Sequence, residues 1–132
     1  MKIAADTNVL LRASVRDDPQ QAAAAAQALR GAELVAVPVA AFCEFAWVLR
    51  TIYKRPASEV ARSIRSLVTS PNVVTHLPAV EAGLAVLDQG GDFADGAIAF
   101  EGHWLGGEEF VSFDKQAVKL LKAQGKRARL LS

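Results

Sequence analysis

The sequence predicts an α/β protein built on parallel strands, and three observations predict it. Short apolar runs of strand length alternate with longer segments of helical spacing from one end of the chain to the other. Cap and breaker residues stand at the junctions, among them Asp18-Pro19 and Gly90-Gly91. Two of the apolar runs are each followed by an Asp where a helix is expected to start, at Asp6 and Asp114. Ligands of parallel α/β folds sit beyond the C-terminal ends of the strands.

Each element has its own justification. Lys2 to Asp6 reads as a short buried strand and Asn8 to Val15 as a helix. In "RDDPQQ", Asp18 is a candidate N-cap with Pro19 at the first helical position. The alanine-rich "PQQAAAAAQALRG" follows as a helix by propensity, with Gly31 expected past its end. "ELVAVP" is a strand. Val39 to Tyr53 carries apolar residues at 42, 45, 46, 48, 49 and 52, a helical spacing. "RPASEVARSIRSLV" is another helix, with Val60, Ile64, Leu67 and Val68 on one side. "NVVTHLP" is a strand; Ala79 to Gln89 and Asp92 to Leu105 are helices parted by Gly90-Gly91; "EEFVSF" is a strand, Lys115 to Gln124 a helix and "ARLL" a last strand.

The 132 residues suit one domain, residues 1–132, and can bury a core without staples. Hydrophobic residues make up 52% and charged ones 22%, the composition of a folded globular chain. No apolar run approaches a membrane span, and a single cysteine, Cys43, excludes an internal disulfide; both predict a cytoplasmic, reducing setting. The net charge of +1 identifies no partner, but its distribution is uneven. From Ser66 to Asp114 there is no Lys or Arg and there are eight acids; basic residues flank this stretch on both sides. Most of these are expected on solvated helix faces, and an acidic site rimmed by basic surface would suit a polyanion.

Four carboxylates ask for a common explanation. Singly, Asp6 and Asp114 are suitable helix caps, and Asp95 in a first turn gains from the helix dipole. Glu44 is placed among Ala40, Ala41, Trp47 and Val48, where a carboxylate is costly unless it is paired, sits at an edge or binds a cation. Strand ends at Asp6 and Asp114, a helix start at Asp95 and the helix of Glu44 are elements that one cleft can collect. Clustered like charges call for a cation, and oxygen-only ligands suit Mg²⁺ or Mn²⁺. Zinc is disfavoured because Cys43, His76 and His103 have no ligand spacing. A hard cation among carboxylates is a tool for phosphodiester chemistry.

The motifs "AADTNVLLR", "FCEFAWVL", "DFADGAIA" and "FVSFDK", in that order, resemble the PIN-domain ribonucleases, and within them the VapC-type toxins. The resemblance spans essentially the whole chain. It implies a Rossmann-like PIN fold with a central, mostly parallel sheet of four to five strands flanked by helices. It also implies Mg²⁺- or Mn²⁺-dependent endoribonuclease activity, homodimers and inhibition by a cognate antitoxin protein. By motif match the catalytic and metal-ligating quartet falls on Asp6, Glu44, Asp95 and Asp114. Thr7, Asn8 and Ser112 fall beside it as supporting residues. Asp92, three residues before Asp95, is expected chiefly as a helix cap with an outer-shell contact. Arg50, Lys54 and Arg55 are candidate RNA contacts. The Ala22–Ala26 and Ala57–Val68 helices are expected to form a clip for the antitoxin. Gly96-Ala97 departs from the family's more usual Ala-Leu.

Three rivals are weaker. A haloacid-dehalogenase-type phosphatase needs an Asp where Asn8 stands. A receiver domain needs an acidic pair near the first strand, which is absent. A non-catalytic PIN-like module that binds RNA or protein is the alternative that the quartet argues against.

Overall fold

Alternating strands and helices appear as the pattern predicts, in a computed structural model that describes residues 1–132. The chain divides into two compact units, Met1–Leu77 and Pro78–Ser132. All five strands pair in parallel, three in the first unit and two in the second.

The first unit is β1 (Lys2–Ala4), α1 (Thr7–Val15), α2 (Pro19–Gly31), β2 (Leu34–Ala36), α3 (Val39–Thr51), α4 (Ala57–Val68) and β3 (Val73–Val74). Strand β2 is central, with Ile3 opposite Val35 on one side and Val35 opposite Val73 on the other. Parallel neighbours require crossovers, and here each crossover is a helix pair. Leu10, Val35, Phe42, Phe45, Val60 and Ile64 are fully buried and form the core. Asp18 caps α2 through the Gln21 amide at 3.1 Å, with Pro19 following. Gly31 does not lie beyond α2 as expected; it is the last helical residue, and Ala32 leaves in extended conformation. The exposed carbonyls of that helix end are satisfied from elsewhere. The Asn72 amide donates to the Leu29 oxygen at 2.8 Å and the Ala32 oxygen at 3.0 Å.

Helix α4 also differs from expectation. Val60, Ala61 and Ile64 are buried within its own unit, where α4 packs against α3 and β3. Its apolar face therefore has an occupant already, and the helix turns Arg62 and Arg65 to solvent.

The second unit is α5 (Leu77–Asp88, from Pro78 onward), α6 (Phe93–Trp104), β4 (Phe110–Ser112), α7 (Lys115–Ala123) and β5 (Ala128–Leu130). Phe110 pairs with Ala128 and Ser112 with Leu130. Val86, Val118, Leu121 and Ala128 form one cluster, flanked by Ala99, Phe110 and Leu120. Helices α5 and α6 meet through glycines. The Phe93 ring lies directly over Gly83, and Gly96 abuts the backbone of Ala82, so a methyl at Gly96 would overlap the Ala82 carbonyl. Gly96 is therefore required by packing.

Candidate functional site

In the first unit, Asp6 follows β1 and caps α1. Its Oδ1 accepts from the Asn8 amide at 2.8 Å, with Asp6 itself in extended conformation. Asp6 and Asn8 are exposed, and Thr7 is half-buried. The cap uses one carboxylate oxygen and leaves the second available as an acceptor.

Glu44 lies on α3, the helix that follows the central strand. It is exposed, not embedded among apolar side chains. Helix α3 buries Phe42, Phe45, Ala46 and Leu49, and the opposite stripe runs Ala40, Glu44, Trp47 and Thr51. The cost of a buried charge therefore does not apply to Glu44, and its assignment rests on motif position alone. Trp47 is apolar by type yet faces water. The spacing Ala40, Glu44, Trp47, Thr51, taken as one stripe, is the signal in the sequence that marks this face as exposed.

In the second unit Asp95 lies within electrostatic reach of both Asp92 and Asp114. Asp92 is the N-cap of α6, its Oδ1 accepting from the Ala94 amide at 3.1 Å. Asp114 follows β4 and is the N-cap of α7, accepting from the Ala117 amide at 3.0 Å. The Ser112 hydroxyl accepts from the Asp114 amide at 3.0 Å, so Ser112 sets the turn that delivers Asp114. Asp95 lies in the first turn of α6, half-buried. Burial pushes its carboxyl up to about 6, and the negative charges of Asp92 and Asp114 push in the same direction. The helix start, which normally favours a carboxylate, does not offset these effects.

The structure gathers no group of three or more Asp, Glu, His or Cys side chains into a ready-made metal cage. The donor chemistry does suit a hard cation. Asp95 is a half-buried oxygen donor, and two neighbouring carboxylates raise its pKa, a repulsion that a divalent cation would relieve. His76 and His103 are exposed and Cys43 is half-buried on α3.

The three basic candidates differ from one another. Arg50 is half-buried, and its Nη1 is buried without a hydrogen-bond partner. Lys54 is exposed in left-handed conformation, with φ of 57°, in the turn between α3 and α4. Arg55 is exposed and pairs with Glu59 at 3.6 Å, a surface ion pair of small energetic value.

A cavity of about 520 Å³ in the second unit is lined by Ala85, Phe100, Glu108, Phe110 and Arg127, among others. It lies toward the N-terminal end of β4, whereas Asp114 follows the C-terminal end. Its lining includes Gly96, next to Asp95, but none of Asp92, Asp95 and Asp114 themselves. No helix is long and apolar enough to cross a membrane.

The family model of the PIN domain matches residues 3–120. No curated protein matches the chain.

Proposed function

The chain belongs to the PIN-domain family, and from that premise we propose that it is a metal-dependent endoribonuclease hydrolysing RNA phosphodiester bonds, the toxin of a toxin–antitoxin pair. The family match crosses from one compact unit into the other, which supports reading residues 1–132 as one PIN domain. The metal-holding residues in this reading are Asp6, Glu44, Asp95 and Asp114. The observation that carries the proposal is the PIN-domain match over residues 3–120; the half-buried Asp95 with Asp92 and Asp114 in electrostatic reach supports it.

Mg²⁺ or Mn²⁺, when bound, neutralises charge on the phosphodiester and lowers the pKa of an attacking water. The chain's own residues arrange the donors. Asp6 and Asp114 are fixed at helix starts by their cap hydrogen bonds, Ser112 fixes the turn before Asp114, and Asp92 holds the first turn of α6 from which Asp95 projects. Lys54 and Arg55 supply phosphate contacts beside Glu44; Thr7 and Asn8 support Asp6. A homodimer, inhibition by a small antitoxin protein and a cytoplasmic setting complete the reading.

Purified protein should cleave structured RNA in Mn²⁺ and stop when EDTA is added. RNA binding without cleavage in either condition would identify a non-catalytic PIN-like module instead.

Two further outcomes follow from the site. Mn²⁺ should raise the melting temperature by mass action, and Glu44→Gln should reduce that rise. Equal rises in both proteins, read by thermal denaturation across a Mn²⁺ titration, would remove Glu44 from the site. Replacing Lys54 and Arg55 by Glu should weaken RNA binding at low salt. The slope of log affinity against log salt should become shallower by about 0.7 for each phosphate no longer neutralised. An unchanged slope would end their assignment.

A further inference from the structure

We propose that Trp47 stacks on a nucleobase of single-stranded RNA and so positions the strand along α3 beside Glu44. The inference rests on the nuclease reading and adds a binding residue to it. Trp47 is 54% exposed on a stripe that otherwise carries Ala40, Glu44 and Thr51. The helix buries its other large apolar side chains, Phe42, Phe45 and Leu49. An indole one turn from a carboxylate, with more than half of its surface facing water, is only partly used by the fold. The Thr51 hydroxyl donates to the Trp47 carbonyl at 2.7 Å and is thereby turned back onto the helix, leaving the indole as the large group of the stripe.

Charge selects the occupant. From Arg50 to Val68 the chain has five basic residues and one acid, Glu59. Lys54, Arg55, Arg62 and Arg65 are exposed, and α4, which bears the last two, packs against α3. An exposed aromatic ring next to a basic helix end is the pairing that single-stranded nucleic acids use: cations meet the phosphates, and the ring meets a base of any sequence. A base seated on Trp47 lies one helical turn from Glu44, on the same stripe.

Two readouts on one protein test this. The background is Asp95→Asn, so that RNA is bound and not cut, with Trp104→Phe leaving Trp47 as the sole indole. Binding of a fluorescein-labelled single-stranded oligoadenylate is followed by anisotropy, and stacking by quenching of Trp47 emission with unlabelled oligoadenylate. Quenching should track binding. Trp47→Ala should weaken affinity about tenfold and Trp47→Phe should retain most of it. Nearly half of the residue is covered, so Trp47→Ala should lower the melting temperature somewhat, whereas Trp47→Phe keeps most of that contact and shows whether binding is lost through stacking or through stability. Binding with no quenching, or with equal affinity in Trp47→Ala, would overturn the inference and leave the nuclease reading standing; it is the result expected if the ring serves a protein contact. No anisotropy change with any protein would overturn this inference alone, because the nuclease reading is tested by Mn²⁺-dependent cleavage of structured RNA.

Discussion

Asp95→Asn should raise the stability of the metal-free protein at neutral pH and abolish the gain that Mn²⁺ provides. The folded chain keeps the Asp95 proton up to a pH of about 6, whereas an unperturbed Asp loses it near 3.8. A carboxyl whose pKa is raised by folding favours the folded state while protonated. Its contribution is fully present below about pH 4, declines as pH rises, and is lost above about 6. Above that pH the wild type carries a desolvated charge facing Asp92 and Asp114, and the variant does not. Fully transferred, the shift would amount to about 3 kcal/mol. Asp95 is only half-buried, and solvent screening reduces this to about 1 kcal/mol. That corresponds to a rise of roughly 3–5 °C in melting temperature. Near pH 4 the two proteins should melt together. Thermal denaturation across pH in EDTA checks this; a variant less stable than wild type at neutral pH would contradict it.

Gly96→Ala should cost the fold about 2 kcal/mol or more, although alanine is the better helix former. The added methyl would overlap the Ala82 carbonyl, a backbone atom that can move only if α5 moves. Gly102 on the same helix has open space where a methyl would stand, so Gly102→Ala should stabilise by up to about 1 kcal/mol. Opposite signs from one substitution on one helix, read by urea denaturation, would place the close approach at Gly96. Destabilisation at both positions would point to a general intolerance of α6.

What local chemistry decides is legible in the sequence. The caps at Asp18, Asp92 and Asp114 can be read because each is a short polar side chain reaching an amide two or three residues ahead. Strand and helix order can be read because period and length differ between the two. What escapes a sequence depends on the third dimension. The helical neighbours of Glu44 are apolar by type, which suggests an embedded carboxylate, but Ala40 and Trp47 share its solvent-facing stripe. Gly31 has the chemistry of a terminator, yet α2 runs through it because Asn72, some forty residues on, satisfies the helix end. The apolar face of α4 looks like spare surface in one dimension, and its own unit uses it. The role of Gly96 is illegible for the same reason: the backbone it abuts, at Ala82, lies on another helix. The candidate site divides along this line. Sequence places Asp6, Asp95 and Asp114 at strand ends or helix starts, and the structure adds the electrostatic reach of Asp92, Asp95 and Asp114.

Single-turnover RNA cleavage by Asp92→Asn and Asp95→Asn across a Mn²⁺ titration puts the nuclease assignment to its most direct test. The two residues stand three positions apart, and only Asp92 is committed to capping α6. Asn remains a good cap, so Asp92→Asn should keep its fold and most of its cleavage. Asp95→Asn removes the charged donor that stands in electrostatic reach of Asp92 and Asp114 and should show no metal-dependent cleavage at any Mn²⁺ concentration, with its fold intact. An active Asp95→Asn would contradict the assignment, and an inactive Asp92→Asn beside it would show that the two carboxylates have exchanged roles.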